Sequence, residues 1–482
     1  MISSKASRVL RFLIIVSLGT LVFQLLLIAR YSAVRSYTDD LDRTFEESQD
    51  LYVEHTQENS EEEKIEKLLL EEAAKNNALL HPDLPPPVHA EVKDSDIQSV
   101  RLQGITDTYR CSYLISGQGK EISYIQGLLN KTLSENLQPI ADEMVTKWTT
   151  DCDKYKVQRK YPIKALSDEE AAYPIAYSIL VHEDAAQIER LFRAIYMPQN
   201  FYCFHIDKKA SDNFKQAVVN LVSCFDNAFI ASKLEHVIYS SFSRLQADIN
   251  CLQDLIKVSN KWTYAINLAG QDFPLKTNRE IMTQLKLFHE LNDIPGILPN
   301  SDSIRDRTRL SHNTSTGQIA AGNAQKTPPP HNITVYFGSA YNIISRNFLS
   351  WVFTNKVAND FLEWSKDTYA PDEHFWVSLN RLPAVIGGYP NASWDSTARA
   401  IKWMYYDGEL YPPCTGKYVR HICVYGVGDL RWLTSQHHLF ANKFDLKMDP
   451  VVVQCLEQWL NYRIERPNIN WSNFPHHLYD GG

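Results

Sequence analysis

Residues 175–207 read IAYSILVHEDAAQIERLFRAIYMPQNFYCFHID, and this run decides the fold. Ile175 to His182 is a short apolar stretch of the length of a buried strand. Ala185 to Tyr196 follows with Ile188, Leu191, Phe192 and Ile195 at helical spacing, and Phe201 to Asp207 is a second apolar strand closed by a carboxylate. The alternation continues with a helix at Phe214–Phe225, a strand at Ala228–Ser232, an amphipathic helix at Ser243–Val258 and a strand at Thr263–Ala269. Units in this order predict an α/β domain with a parallel sheet and right-handed crossovers. Ligands of such sheets sit beyond the carboxyl ends of the strands. That nominates Leu180-Val181-His182, Asp207-Lys208-Lys209 and the turn Ala269-Gly270-Gln271-Asp272. Asp207 ends a buried strand and can accept hydrogen bonds from a base or ribose, whereas His182 alone reads equally well as a packed or capping histidine.

The second half carries two further constellations. Tyr411 to Asp445 (YPPCTGKYVRHICVYGVGDLRWLTSQHHLFANKFD) places Cys414 and Cys423 around a Gly turn, with two isolated cations, Arg420 and Lys443, a Gly-Val-Gly-Asp turn and a His437-His438 pair. Cations held in this way suit an anionic ligand such as a diphosphate. Upstream, Tyr369-Ala-Pro-Asp-Glu-His-Phe-Trp376 sets an acidic pair ahead of a helix. Ordinary helix capping accounts for that pattern, and the functional alternative makes Glu373 a general base. Trp403, Tyr405 and Tyr406 nearby offer aromatic faces on which sugar rings stack. The chain contains no G-x-G-x-x-G, Walker loop, G-x-S-x-G or H-E-x-x-H, so dinucleotide redox, P-loop and zinc-hydrolase chemistries have no support.

The N-terminus speaks to compartment. Phe12 to Ala29 is an almost unbroken apolar run preceded by Lys5, Arg8 and Arg11 and followed by an acidic segment. Its length suits a thin bilayer, and the charge asymmetry leaves 1–11 in the cytosol and the remainder in the lumen. A cleaved signal peptide is the rival reading, but the run is long for one and ends without a small-x-small site. Residues 30–108 carry clustered glutamates and then Pro82-Asp-Leu-Pro-Pro-Pro87, a composition for a stem with at most a local helix at Glu62–Lys75. Much of the net charge of −8 sits in this stem, and nothing points to nucleic acid. All eight cysteines lie beyond residue 110 without a CxxC, which predicts disulfides in an oxidising lumen; only Cys414–Cys423 can be paired unaided. Sequons at Asn130, Asn313, Asn332, Asn391 and Asn470 agree with a lumenal head at 109–482.

Taken together, these segments resemble the core 2/I-branching β1,6-N-acetylglucosaminyltransferase family, which also contains the peptide O-xylosyltransferases. The likeness runs from about Tyr109 to Leu460 through LFRAIYMPQNFYCFHIDKKA, TYAINLAGQDFPLKTN, DTYAPDEHFW, YPPC and QHHLFANKFD. The branching enzymes fit better, because the xylosyltransferases carry an added C-terminal domain. The resemblance implies a GT-A (Rossmann-like) nucleotide-sugar fold on a single-pass type II anchor in the Golgi membrane. It implies Glu373 as catalytic base and Arg420 and Lys443 as the diphosphate-binding pair. Leu180, Val181, His182, Asp207, Lys208, Lys209 and Tyr239 would contact the donor nucleotide, and Trp403 and Tyr405 the acceptor. It also implies the bridges Cys111–Cys455, Cys152–Cys224, Cys203–Cys251 and Cys414–Cys423.

The expected reaction is inverting transfer from a UDP-sugar, most simply UDP-N-acetylglucosamine, to a core 1-type Gal-GalNAc glycan on a glycoprotein. An ordinary carboxylate at Glu373 would already be ionised at neutral pH. The D-x-D matches Asp94-Ser-Asp96 and Asp151-Cys-Asp153 are badly placed to hold a metal. Arg420 and Lys443 can supply two positive charges instead, so no cofactor and no divalent metal is expected. The acceptor stretch Asn292–Asn313 departs from the family pattern: it lacks the glutamate, and Arg307 alone matches the arginine. Acceptor choice is therefore open. UDP-glucose stands as an alternative donor and a glycan-binding homologue without turnover as an alternative class. Oligomeric state is not legible.

Overall fold

The computed structural model describes residues 110–134, 140–390 and 393–467. The apolar run at 12–29, the stem with its expected helix, the Asp94-Ser-Asp96 match and the sequons at Asn391 and Asn470 lie outside the described residues. No helix among the described residues is long and apolar enough to cross a membrane.

Strands β1 (Ala176–Val181) and β2 (Phe201–Ile206) are buried at every position, as strands covered on both faces must be. Between them runs α1 (Ala185–Ile195), capped by Asp184, whose Oδ1 accepts from Gln187 N at 3.0 Å. After β2 come α2 (Asp212–Ser223), β3 (Ala228–Ile230), α3 (Phe242–Val258) and β4 (Tyr264–Ala269). Two of these helices begin before their first expected residue, because Ser211 and Ser241 cap them. An antiparallel edge strand, β6 (Ile343–Ser345), completes a sheet of order β6-β4-β1-β2-β3. The pairs β1–β2, β1–β4 and β2–β3 are parallel. Since β2 and β4 flank β1 on opposite sides, the winding reverses at β1, and a crevice opens beyond the carboxyl ends of these strands.

The core beneath is strongly aromatic. Phe192 of α1 meets Tyr196, Tyr202, Phe204 and Phe225 edge-on at 4.9–5.4 Å between centroids, a geometry favoured by ring quadrupoles.

A second, smaller sheet joins the C-terminal block to the crevice. It consists of β5 (Asp272–Pro274), β7 (Arg399–Ala400) and β10 (Phe440–Asn442) in the order β7-β10-β5. A hairpin of β8 (Lys417–Val419) and β9 (Ile422–Val424) precedes β10. The eight cysteines form the bridges Cys111–Cys455, Cys152–Cys224, Cys203–Cys251 and Cys414–Cys423. The first ties the start of the described head to α6 (Pro450–Ile464).

The Gly turn expected between Cys414 and Cys423 is corrected by the structure. The turn residues are Arg420 and His421, with φ +53° and +65°, between the paired Val419 and Ile422. Two left-handed residues in a two-residue loop match the twist of a hairpin, whichever side chains they carry. Gly416 serves a different need: a Cβ there would fall 1.9 Å from the Val424 carbonyl oxygen.

Candidate active site

The donor positions nominated by the sequence gather at the end of β1 and β2. Leu180 and Val181 are buried strand tips; their carbonyls accept from Gly270 N and Asp207 N, both at 3.0 Å. His182 lies beside Glu183 at 3.4 Å and, with Lys209, lines a cleft of about 620 Å³. Asp207 is also held from within the chain. Its Oδ1 accepts from Lys209 N at 3.1 Å and Val237 N at 3.2 Å, and Oδ2 pairs with the Lys209 ammonium at 3.3 Å. The carboxylate therefore holds the loop 235–240 onto β2. Lys208 N donates to the Glu235 carbonyl at 3.0 Å, and buried His205 accepts from Glu235 N at 2.8 Å. Burial pushes His205 down to about 4, so the ring is neutral and can accept that bond.

That loop delivers Tyr239 to the cations. The Arg420 guanidinium stands 4.3 Å from the exposed Tyr239 ring, a cation–π arrangement. Lys443, only 9% exposed, follows β10; its proton affinity is lowered by burial and then by the charge of Arg420. A buried ammonium held near a second positive charge suits an anionic ligand between them. Behind them Asp429 and Lys402, both fully buried, are joined at 2.7 Å. Lys402 Nζ also donates to the Pro412 carbonyl, while Asp429 Oδ2 accepts from Thr415 and Gly426 N. This buried pair fastens the hairpin bearing Arg420 to the segment bearing Trp403.

Glu373 lies on a single 3₁₀ turn, Pro371–Glu373, ahead of α5 (Phe375–Asn380). The turn is entered through Ala370 at φ +46°, whose N–H donates to the Ser240 carbonyl at 2.7 Å; Ser240 itself has φ +57°. Left-handed non-glycine residues carry strain that surrounding contacts must sustain. Here the strained pair bonds the loop of Glu373 to the loop of Tyr239. Asp272, by contrast, is a structural carboxylate: it accepts from Ala269 N and Asn442 Nδ2 and pairs with buried Arg399 at 3.0 Å. Asp151 caps the helix Cys152–Gln158, and Asp153 is an exposed partner of Lys156.

Arg307 sits on α4 (Asp302–Arg309), a helix with no buried residue. It donates from Nη1 to Glu373 Oε2, with about a third of each side chain exposed. Its guanidinium lies 5.0 Å from Phe337 and 5.2 Å from Tyr369. The expectation of an ordinary carboxylate at 373 is corrected. Desolvation and then the neighbouring Asp372 push Glu373 up to about 7, with Arg307 opposing them. Trp403 and Tyr405 are exposed, and Tyr405 stacks on His421 of the hairpin turn at 5.1 Å. His437 and His438 stack on each other at 4.1 Å, and nothing places them with Glu373. Asn130, Asn313 and Asn332 are all exposed.

The geometry thus unites, from remote parts of the chain, a carboxylate of raised proton affinity, a cation pair and exposed aromatic faces. Residues 175–434 match the family model described as Core-2/I-Branching enzyme. The chain belongs to the Core-2/I-branching enzyme family. It is 51% identical over 322 residues to a human N-acetyllactosaminide β-1,6-N-acetylglucosaminyl-transferase, covering 65% of this chain and 80% of that one. Against a mouse β-1,3-galactosyl-O-glycosyl-glycoprotein β-1,6-N-acetylglucosaminyltransferase 4 the identity is 45% over 367 residues, 73% and 79% of the two chains. A human β-1,3-galactosyl-O-glycosyl-glycoprotein β-1,6-N-acetylglucosaminyltransferase is 38% identical over 390 residues, 78% and 91%. This branching-family chain is accordingly a glycosyltransferase with a mixed α/β fold. The residues that sequence reasoning missed are Ser240, Ala370, Asp372, Lys402 and Asp429. Asp372 and Asp429 stand inside quoted motifs, but their burial and partners had no signature in the chain.

Proposed function

We propose that this chain is an inverting β1,6-N-acetylglucosaminyltransferase with a GT-A donor domain, acting on the Gal-GalNAc core of mucin-type O-glycans. One observation carries the reading: the loop of Glu373 is hydrogen-bonded, through Ala370 and Ser240, to the loop whose Tyr239 lies under Arg420 beside Lys443. In the proposed step the acceptor 6-hydroxyl attacks the anomeric carbon and its proton passes to Glu373. The bond to the diphosphate breaks, and the electron pair leaves with UDP against the charges of Arg420 and Lys443. No divalent metal is required in this account. Trp403 and Tyr405 supply stacking faces for the acceptor, and Arg307 a hydrogen-bond donor. Residues 1–11, 12–29 and 30–108 are proposed as cytosolic tail, Golgi membrane anchor and lumenal stem; protease protection of the head in sealed Golgi vesicles tests this orientation.

Glu373→Gln should leave UDP binding intact and slow transfer about 10²–10⁴-fold. A variant retaining full turnover removes Glu373 from the step. EDTA should leave the rate unchanged; loss of activity restored by Mn²⁺ overturns the two-cation account.

A second acceptor is favoured by a specific observation. The relative at 51% identity is named for N-acetyllactosaminide, and the acceptor stretch of this chain lacks the expected glutamate while presenting Arg307. Assaying UDP-N-acetylglucosamine and UDP-glucose against core 1, core 3 and N-acetyllactosamine acceptors separates these readings from a non-catalytic one.

A further inference from the structure

Glu373 shares its single turn with another carboxylate. Asp372 is 7% exposed, and its Oδ1 has no hydrogen-bond partner among the described residues. The chain thus holds a buried acidic group immediately beside the base. On the other side, Arg307 donates to Glu373 Oε2 and is itself fixed, its carbonyl accepting from Tyr369 N at 2.9 Å and its guanidinium lying against Phe337 and Tyr369. The base stands between an acidic neighbour and a cation that the fold keeps in place.

We propose that Asp372 and Arg307 are opposed positioning residues, Asp372 strengthening Glu373 as a base and Arg307 keeping its carboxylate ionised and aimed. The proposal rests on the reading of Glu373 as the base. A sugar hydroxyl surrenders its proton reluctantly, so a stronger base transfers it more readily, provided enough of that base remains ionised at the working pH. Burial and Asp372 push Glu373 in the first direction, and Arg307 pulls in the second. Burial raises the proton affinity of Asp372 as well, and Arg244 of α3, bound to Asp248 at 2.5 Å, opposes that rise and favours its ionised form; the neutral phenol of Tyr341 also faces it. Lys326 acts on His374.

The test is the pH dependence of kcat/KM for the full-length enzyme, whose rising limb reports ionisation of the free enzyme's base. Arg307→Gln should move the midpoint upward by about one unit or more, the scale expected for loss of an adjacent opposite charge. Asp372→Asn should move it downward, and the double variant should return towards the parent. Arg307→Lys, which keeps the charge, should restore most of the parental midpoint, and this surface pair decides the matter if the buried Asp372→Asn does not fold. Rates that fall at every pH with an unmoved midpoint confine both residues to structure or acceptor binding and overturn the proposal. If Glu373→Gln is inactive while the midpoints stay fixed, this inference alone fails; if Glu373→Gln turns over normally, the base reading falls and takes it along.

Discussion

At the scale of single residues, the site depends on charges whose strength comes from their surroundings. Arg420 is exposed, yet its ring partner and the tight turn beneath it hold its direction. Arg420→Ala should weaken UDP binding by about 1.5–3 kcal/mol, roughly 10- to 150-fold in Kd, as loss of charge-assisted hydrogen bonds does. Calorimetric titration with UDP checks this, and unchanged affinity separates Arg420 from the donor. Tyr239→Ala should have a smaller effect of the same sign, since an exposed cation–π contact contributes about 0.5–1 kcal/mol.

Among elements, the hairpin β8–β9 is carried by the buried Lys402–Asp429 pair. Lys402→Met leaves Asp429 without its countercharge in the interior. Breaking a buried pair in this way costs about 3–5 kcal/mol, visible as a large fall in thermal midpoint. An unchanged midpoint shows that the hairpin is fastened by other means. The strand–helix alternation from 176 to 269 was legible because hydrophobic periodicity is a local property of the chain. The hairpin turn was misplaced onto glycine because Arg420 and His421 adopt left-handed backbone under the restraint of their strands, which composition does not announce. Local motifs nominated Glu373, Arg420 and Lys443 and the resemblance assigned their roles, but neither could register the hydrogen bond from Ala370 to Ser240, which joins residues 130 positions apart.

For the whole molecule, acid should act through buried imidazoles. Burial holds His205 down at about 4 and His374 at about 3, against about 6.5 in an unfolded chain. The unfolded state therefore binds more protons below about 6.5, and stability falls as pH drops from there towards 4. Glu457 adds to this in stronger acid: although burial opposes ionisation, Arg190 and Arg193 hold it down at about 2, so its contribution is lost as pH falls through the carboxylate range. Asp449 runs the other way. Burial raises it to about 7, so its contribution is present at low pH and lost as pH rises through 7. Thermal midpoints between pH 4 and 8 check the balance: His205→Gln should flatten the acid slope, and an unaltered slope rules out His205 as one of its sources.

The order of strands and helices, the acidic composition of residues 30–108, the even cysteine count and the segments carrying the family likeness all belong to the sequence alone, because each is written in local pattern or composition. Tertiary structure alone decided which groups hold Asp207 and Asp272, that Arg307 lies on Glu373, and that burial and Asp372 raise the proton affinity of Glu373. The reason is that electrostatic energy depends on distance and dielectric, and folding sets both by bringing together parts of the chain that are far apart in sequence.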